Sequence, residues 1–325
     1  MRSTRTAQVS RGASFPVPQR RGKILLWPDT TPQGVTPIRH RGQPDSTPLP
    51  TGSAAGVRVV DVIAVEGTAR EHRPDQLVVE EPLAIQITHG PVRDRRRTTL
   101  SVTMRTPGHD PELAAGLLFA EGVVTDPGQI LAVAPDRDGN TIRLDLHPAV
   151  VVDLIGLERR TYTTSACGVC GKTSVDAIEA ACDGPRTGGP TVATAVIHAL
   201  PVRLRNAQPA FACTGGLHAA ALFDPDGTLL AVREDVGRHN AVDKVIGAEF
   251  LAGRLPLHDR ILFVSGRAGF ELVQKAAVAA VPVFAAVGAP SSLAVDLARR
   301  LRVTLVGFVR NGRFNIYAGA DRIGL

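Results

Sequence analysis

Cys167 and Cys170 form a Cys-x-x-Cys pair with Gly168 and Gly171 beside them. Lys172 follows directly, and a helix is predicted to begin within the next two or three residues. A helix N-terminus and a neighbouring cation both favour the thiolate, which is the form that attacks sulfane sulfur or binds a metal. The segment therefore predicts a nucleophilic cysteine, and the glycines on either side allow it to move.

Other interpretations of this cysteine pair stay open from the residues alone. A structural zinc site needs four ligands, and Cys182, Cys213 or His218 would have to supply the remaining two. A zinc deaminase places a glutamate two residues after its histidine, whereas His218 is followed by two alanines. A thioredoxin-like redox pair fits the motif but not the length and order of the chain. Buried structural thiols are a further possibility.

Four further segments have the composition of ligand-binding loops. Glycine amides after a strand and arginines at the start of a helix are typical phosphate ligands. The last segment is a predicted hairpin with an Asn-Gly turn, in which a Phe and two arginines could stack on a base and bind phosphate. Together, at the strand ends of one domain, these segments indicate a nucleotide-like ligand. The predicted contact residues are Gly215, Gly216, His218, Asp235, Arg238, His239, Gly266, Arg267, Phe308, Val309, Arg310, Asn311, Gly312 and Arg313.

The net charge of +6 lies in the N-terminal stretch of the chain. Residues 1–56 hold eight Lys and Arg but two acidic residues, which leaves 29 basic and 29 acidic residues from totals of 37 and 31. The rest of the chain is therefore neutral, and we predict no nucleic-acid partner. No apolar run approaches the roughly 20 residues of a membrane span, and the N-terminus has no secretory apolar segment. A cytoplasmic protein without a membrane partner is expected.

Hydrophobic content of 44% and a length of 325 residues predict two folded domains plus an extension. Residues 1–56, rich in Arg, Pro, Gly, Ser and Thr, are predicted to be a disordered basic extension. Residues 57–160 contain short strands, among them Leu77–Glu80, and one helix, which predicts a small α+β domain. Residues 161–325 alternate strands and helices, which predicts a three-layer α/β domain with a largely parallel sheet.

Eight short motifs occur in a characteristic order. They are Glu80–Leu83, Arg105–Gly108, Gly116–Gly122, Cys167–Gly171, Gly215–His218, Glu234–Lys244, Ser265–Arg267 and Leu305–Arg310. Together they resemble the formate dehydrogenase accessory sulfurtransferase family (FdhD-type), from about residue 60 to residue 318. The string Glu-Asp-Val-Gly-Arg-His-Asn and the cysteine segment are the most specific parts of this resemblance.

The resemblance implies a sulfur carrier. Such proteins accept sulfur from a cysteine desulfurase and pass it to the molybdenum bis-guanine-dinucleotide cofactor before that cofactor enters formate dehydrogenase. By position in the motif, Cys167 would carry the persulfide and Cys170 would assist. The Phe308–Arg313 segment would hold the guanine dinucleotide part, for which a guanine nucleotide is a mimic.

Further expectations follow from the same resemblance. The cofactor would be a bound substrate, and no catalytic metal of the protein's own is expected. The C-terminal domain would be similar to the cytidine deaminase fold, and the protein would be a homodimer. An alternative function from another class is a cofactor-binding chaperone whose Cys-x-x-Cys pair only ligates a metal.

Overall fold

The computed structural model describes residues 56–136, 139–154 and 188–324. Nearly all of the predicted basic extension lies outside these ranges, as do Cys167, Cys170 and Cys182. The predicted domain boundary at residue 160 also lies outside them. All of the predicted anion-binding segments lie within them.

Fourteen strands lie in the described ranges. Their bounds are β1 Val57–Glu66, β2 Ala69–Val78, β3 Glu81–His89, β4 Arg96–Arg105, β5 Ile130–Pro135, β6 Thr141–Leu146, β7 Val192–Ala193, β8 His218–Phe223, β9 Leu229–Asp235, β10 Ile261–Val264, β11 Val283–Ala286, β12 Thr304–Arg310, β13 Arg313–Ala318 and β14 Ile323–Gly324.

Six α-helices accompany these strands in the described part of the chain. They are α1 Asp110–Ala120, α2 Thr194–Asn206, α3 Pro209–Thr214, α4 Arg238–Leu251, α5 Phe270–Val278 and α6 Ser292–Arg300. Of the helices that the structure describes, none has the length and hydropathy needed to cross a membrane.

The first part of the fold is a four-stranded sheet in the order β4-β3-β6-β5. Leu83, Ile85 and Ile87 alternate along β3, and all three side chains are fully buried on one face of the sheet. Leu113 and Leu118 of α1 belong to the same core. This sheet-and-helix unit agrees with the α+β character predicted for this part of the chain.

β1 and β2 form a separate two-stranded hairpin, which we call the arm. The two strands pair over ten residues, from Val57↔Val78 to Glu66↔Ala69. The prediction of a strand limited to Leu77–Glu80 was wrong, because β2 runs from Ala69 to Val78. Its side chains are almost all exposed, so β2 lacks the alternation of apolar and polar residues that marks a half-buried strand.

The second part of the fold is a six-stranded sheet in the order β13-β12-β11-β10-β8-β9. β10 pairs with β11, and β11 with β12, in parallel. The other three pairings are antiparallel, so the prediction of a largely parallel sheet was wrong. The reason is that β8–β9 and β12–β13 are hairpins with short turns, and such turns can join only antiparallel strands.

Helices cover both faces of this sheet. On one face, Ile197 of α2 shares a core with Phe263 of β10. On the other face, Val245 of α4, Leu272 of α5 and Leu297 of α6 lie in a second core. The predicted three layers are therefore present.

Helices α1 and α4 cross at two glycines. A Cβ on Gly116 would lie 1.9 Å from the backbone oxygen of Asp243, and one on Gly247 would lie 1.8 Å from that of Glu112. These distances are far below van der Waals contact, so only glycine permits this crossing. The crossing joins the helix of the four-stranded sheet to the helix that begins at the predicted binding segments.

Candidate functional site

β10 and β11 end along one edge of the six-stranded sheet. The loops that follow these two strands contact residues of β8 and β12 there. The backbone N–H of Gly288 donates to the oxygen of Gly266 at 2.9 Å, and that of Phe308 donates to the oxygen of Gly288 at 3.1 Å. A Cβ on Gly266 would lie 3.4 Å from Nδ1 of His218. We call this line from Phe308 to His218 the carboxyl edge. Open α/β sheets bind ligands at such edges.

Helix α4 begins at the carboxyl edge with Arg238. A Cβ on Gly266 would lie 3.8 Å from Cδ of Arg238, which places the arginine against the edge. Its Nε is buried and has no hydrogen-bond partner among the residues that the structure describes. A buried donor without a partner costs free energy, and an oxygen of an anionic ligand would satisfy it. Arg267, in the loop beside Gly266, is exposed and adds a second guanidinium.

His218 contributes a neutral ring to the same edge. Burial lowers the pKa of His218 below its ordinary value of 6.5, and the positive charges of Arg238 and His239 act in the same direction. Asp235 opposes the shift but does not reverse it. At neutral pH the imidazole is therefore uncharged, and each ring nitrogen can take a different hydrogen-bonding role.

His239 lies next to Arg238 and pairs with a residue that the sequence analysis missed. Its Nε2 lies 3.0 Å from Oε2 of Glu271, in the first turn of α5. The hydrogen bond from His239 lowers the pKa of Glu271, while burial opposes the shift. The sequence offered one signal, an acidic residue directly after the Ser265–Gly269 loop, but acidic residues are common at helix N-termini for electrostatic reasons alone.

The β12–β13 hairpin extends beyond the carboxyl edge. Asn311 and Gly312 have φ values of 52° and 69°, which fits the primed two-residue turn predicted from the Asn-Gly pair. The guanidinium carbon of Arg310 lies 5.5 Å from the ring centroid of Phe308. Arg313 is exposed on the facing strand. The predicted combination of a ring and two arginines is therefore present at the tip of the hairpin.

Asp235 is fully buried, and its polar contacts with the described residues are all internal to the fold. Its Oδ2 lies 2.7 Å from Nζ of Lys244 and accepts a hydrogen bond from the backbone N–H of Thr106 at 3.2 Å. Its Oδ1 accepts from the backbone N–H of Gly237 at 2.8 Å and from Nδ2 of Asn240 at 3.0 Å. The geometry thus assigns this carboxylate to supporting the start of α4, where the sequence had predicted a ligand contact.

Gly215 and Gly216 also act within the fold. Gly215 ends α3 with a φ of 65°, and a Cβ on Gly216 would lie 3.1 Å from Cγ1 of Val78 at the base of the arm. Glu234 fixes the other end of α3, where its carboxylate accepts the backbone N–H of Phe211 at 2.8 Å. These three residues fix the position of the loop that precedes β8, and the predicted contact of Gly215 and Gly216 with a ligand stays a prediction.

The structure thus separates the predicted contact residues into those that face the interior and those that line the edge or the hairpin. Val309 is fully buried in the core beneath α2, so its side chain, like that of Asp235, faces the interior. Cys167 and Cys170 lie outside the described residues, and no metal-binding group of three or more His, Cys, Asp or Glu occurs within those ranges. The residues that line the edge or the hairpin are His218, Arg238, His239, Gly266, Arg267, Phe308, Arg310, Asn311, Gly312 and Arg313.

A mixed α/β fold with cationic side chains and a buried unpaired donor along one edge defines a protein suited to hold an anionic ligand. Residues 78–324 match the model of the FdhD/NarQ family. Because this match covers well over half of the chain, the protein belongs to the FdhD/NarQ family.

Curated relatives support this assignment over most of their length. The chain is 48% identical over 274 residues to a protein of Streptomyces coelicolor named sulfur carrier protein FdhD, covering 81% of this chain and 94% of the relative. It is 50% identical over 263 residues to the Mycobacterium tuberculosis protein of the same name, covering 77% of this chain and 92% of the relative.

A solved structure shares the fold. It is a crystal structure of a Desulfotalea psychrophila protein proposed to be a formate dehydrogenase accessory protein, with a TM-score of 0.64. The alignment covers 82% of this chain and 99% of that chain at 23% identity. At this identity the comparison supports the arrangement of sheets and helices.

Proposed function

We propose that this protein is a sulfurtransferase of the persulfide-carrier type. The observation that carries the proposal is its near-half identity, over almost their whole length, to relatives named sulfur carrier proteins. Cys167 lies inside the family match of residues 78–324. In the proposed reaction the Cys167 thiolate attacks the terminal sulfur of a cysteine desulfurase persulfide, and the desulfurase thiolate leaves. Cys170 assists in this exchange.

The sulfur acceptor in this proposal is the molybdenum bis-guanine-dinucleotide cofactor of a formate dehydrogenase. This cofactor carries several phosphates and two guanines. The carboxyl edge offers Arg238 and Arg267 to the phosphates, and the hairpin offers Phe308 and Arg310 to a guanine. In the transfer the cofactor supplies the electron pair that bonds the terminal sulfur, the S–S bond of the persulfide breaks, and the Cys167 thiolate leaves.

The proposal includes a cytoplasmic homodimer whose six-stranded domain is related to the cytidine deaminase fold. Exposed apolar side chains on the arm support the dimer: Val59, Ile63 and Val65 are 59%, 56% and 64% exposed. Two-stranded hairpins are marginally stable in water by themselves, and covering these side chains would stabilise the arm. The alternative function is a cofactor-binding chaperone whose cysteine pair ligates a metal.

Intact mass spectrometry tests the carrier function. After incubation with a cysteine desulfurase and cysteine, the wild-type chain should gain the mass of one sulfur atom. Cys167→Ala should abolish the gain, whereas Cys213→Ala, which removes an exposed thiol on α3, should leave it intact. A wild-type chain that gains no sulfur but holds zinc tightly would replace the carrier function with the metal-binding alternative.

A further inference from the structure

Glu271 is an acidic residue beside a cluster of positive charge. Its carboxylate is half-buried and lies 3.0 Å from Nε2 of His239. Arg238 and Lys275 also lie close enough to influence Glu271 electrostatically. Asp235, the other carboxylate near the start of α4, is already paired with Lys244, so Glu271 is the acid that a ligand's phosphates would approach.

Two effects of Glu271 on an anionic ligand have opposite signs. By charge alone, a carboxylate near bound phosphate weakens binding, and removing it should tighten binding. A carboxylate that bonds one ring nitrogen of a histidine also fixes the ring's orientation and determines which nitrogen remains for a ligand. Nδ1 of His239 has no hydrogen-bond partner in the part of the chain that the structure describes. It is therefore the nitrogen left for a ligand.

We propose that Glu271 is a positioning residue of the carboxyl edge, which holds His239 through Nε2 so that a protonated Nδ1 donates to a phosphate of the bound guanine nucleotide. This inference rests on the proposed function, because it takes the guanine nucleotide as ligand. It adds an acidic residue of α5 to a site whose cationic groups come from α4 and the loop after β10. The hydrogen bond that lowers the pKa of Glu271 also keeps this carboxylate ionised and able to accept from His239 at neutral pH.

Isothermal titration calorimetry of the full chain with GDP tests the inference through the sign of the effect. Positioning predicts that Glu271→Ala weakens GDP binding about tenfold, the loss typical of a charge-assisted hydrogen bond. Glu271→Gln keeps an acceptor oxygen and should recover part of this loss. Unchanged or tighter binding in Glu271→Ala would overturn the proposal, because charge removal alone would then explain the result.

Nitrogen-15 NMR of the histidine rings supplies a readout that a purely structural role would not change. In the GDP complex of the wild-type chain, both ring nitrogens of His239 should carry a proton, and Glu271→Ala should remove one of these protons while the folded spectrum is retained. His109→Asn is the matched control, because His109 forms a similar pair with Glu112 at 3.1 Å in the first turn of α1. This control should leave GDP affinity unchanged, and an equal loss of affinity there would also overturn the proposal.

The proposed function and the role of Glu271 can fail separately. A wild-type chain that does not bind GDP would remove the guanine nucleotide from the proposed function and this role of Glu271 with it. Wild-type binding that Glu271→Ala leaves intact would remove the role of Glu271 alone.

Discussion

Lys244 and Asp235 form a buried ion pair that also ties two parts of the fold together. The two side chains are 1% and 0% exposed, and their charged atoms lie 2.7 Å apart. Lys244 Nζ also donates to the backbone oxygen of Thr106 at 2.9 Å, and Thr106 follows β4 of the four-stranded sheet. The pair therefore fixes the start of α4, where Arg238 and His239 face the carboxyl edge.

Removing one partner of this pair should destabilise the protein strongly. Lys244→Met leaves the carboxylate of Asp235 buried without its counterion, which costs about 3–5 kcal/mol of the free energy of unfolding. Denaturation in urea measures this loss. The matched control is Arg96→Met, because Arg96 lies at the same 2.7 Å from Asp94 but both side chains are exposed, at 70% and 59%. That variant should lose much less stability, and equal losses in the two variants would contradict the assigned role.

Three neighbouring residues show why the local sequence did not predict which side chains reach the carboxyl edge. Asp235, Arg238 and His239 lie within five positions, and their types gave the same expectation of ligand contact. The structure separates them. The chain turns between Asp235 and Arg238, so that Arg238 and His239 reach the edge and Asp235 does not. Burial of Asp235 depends on Thr106, which lies 129 residues away in the sequence, and local spacing carries no information about that contact.

At the scale of elements, the crossing of α1 and α4 sets the position of α4. The two helices approach so closely at Gly116 and Gly247 that each hypothetical Cβ would meet backbone rather than a movable side chain. Backbone atoms cannot give way without shifting a helix. The start of α4 at the carboxyl edge therefore depends on a contact more than two turns away along the same helix.

Substitution at this crossing should be costly. Gly247→Ala should lower the free energy of unfolding by about 3 kcal/mol through overpacking, as measured by denaturation in urea. Gly269→Ala is the control, since a Cβ there would meet nothing within 4 Å and φ is −79°. A Gly247→Ala chain as stable as the Gly269→Ala chain would show that the helices can separate without loss.

The sequence predicted buried elements better than exposed ones. The sequence predicts strands at Arg260–Val264 and Pro282–Val287, because apolar runs bounded by turn residues mark them. β10 and β11, which are buried throughout, lie within one residue of these bounds at each end. Most of β2 was missed, since its exposed side chains lack a period. The parallel or antiparallel sense of the sheet was also misjudged, although the sequence Asp224-Pro-Asp-Gly227 is typical of a hairpin turn.

At the scale of the whole molecule, the arm lies outside the two larger sheets of the described fold. It pairs only with itself in the described ranges and presents Val59, Ile63 and Val65 to the surface. If the arm forms the proposed dimer contact, Ile63→Asp should shift the chain from dimer to monomer in analytical ultracentrifugation. Val151→Asp is the control, as Val151 is 92% exposed outside the arm. A monomeric wild-type chain, or a dimer unaffected by Ile63→Asp, would contradict this role.

The proposed function requires that the carboxyl edge and its hairpin bind the guanine nucleotide while the cysteine segment carries the sulfur. The most direct test is the dissociation constant of GDP for Arg310→Ala and Arg313→Ala, measured with persulfide loading on the same preparations. Each variant should bind GDP about tenfold more weakly and load sulfur like the wild type, whereas Arg96→Ala, which removes an exposed arginine of β4, should change neither property. Wild-type affinity in both hairpin variants would contradict the placement of the nucleotide at this edge.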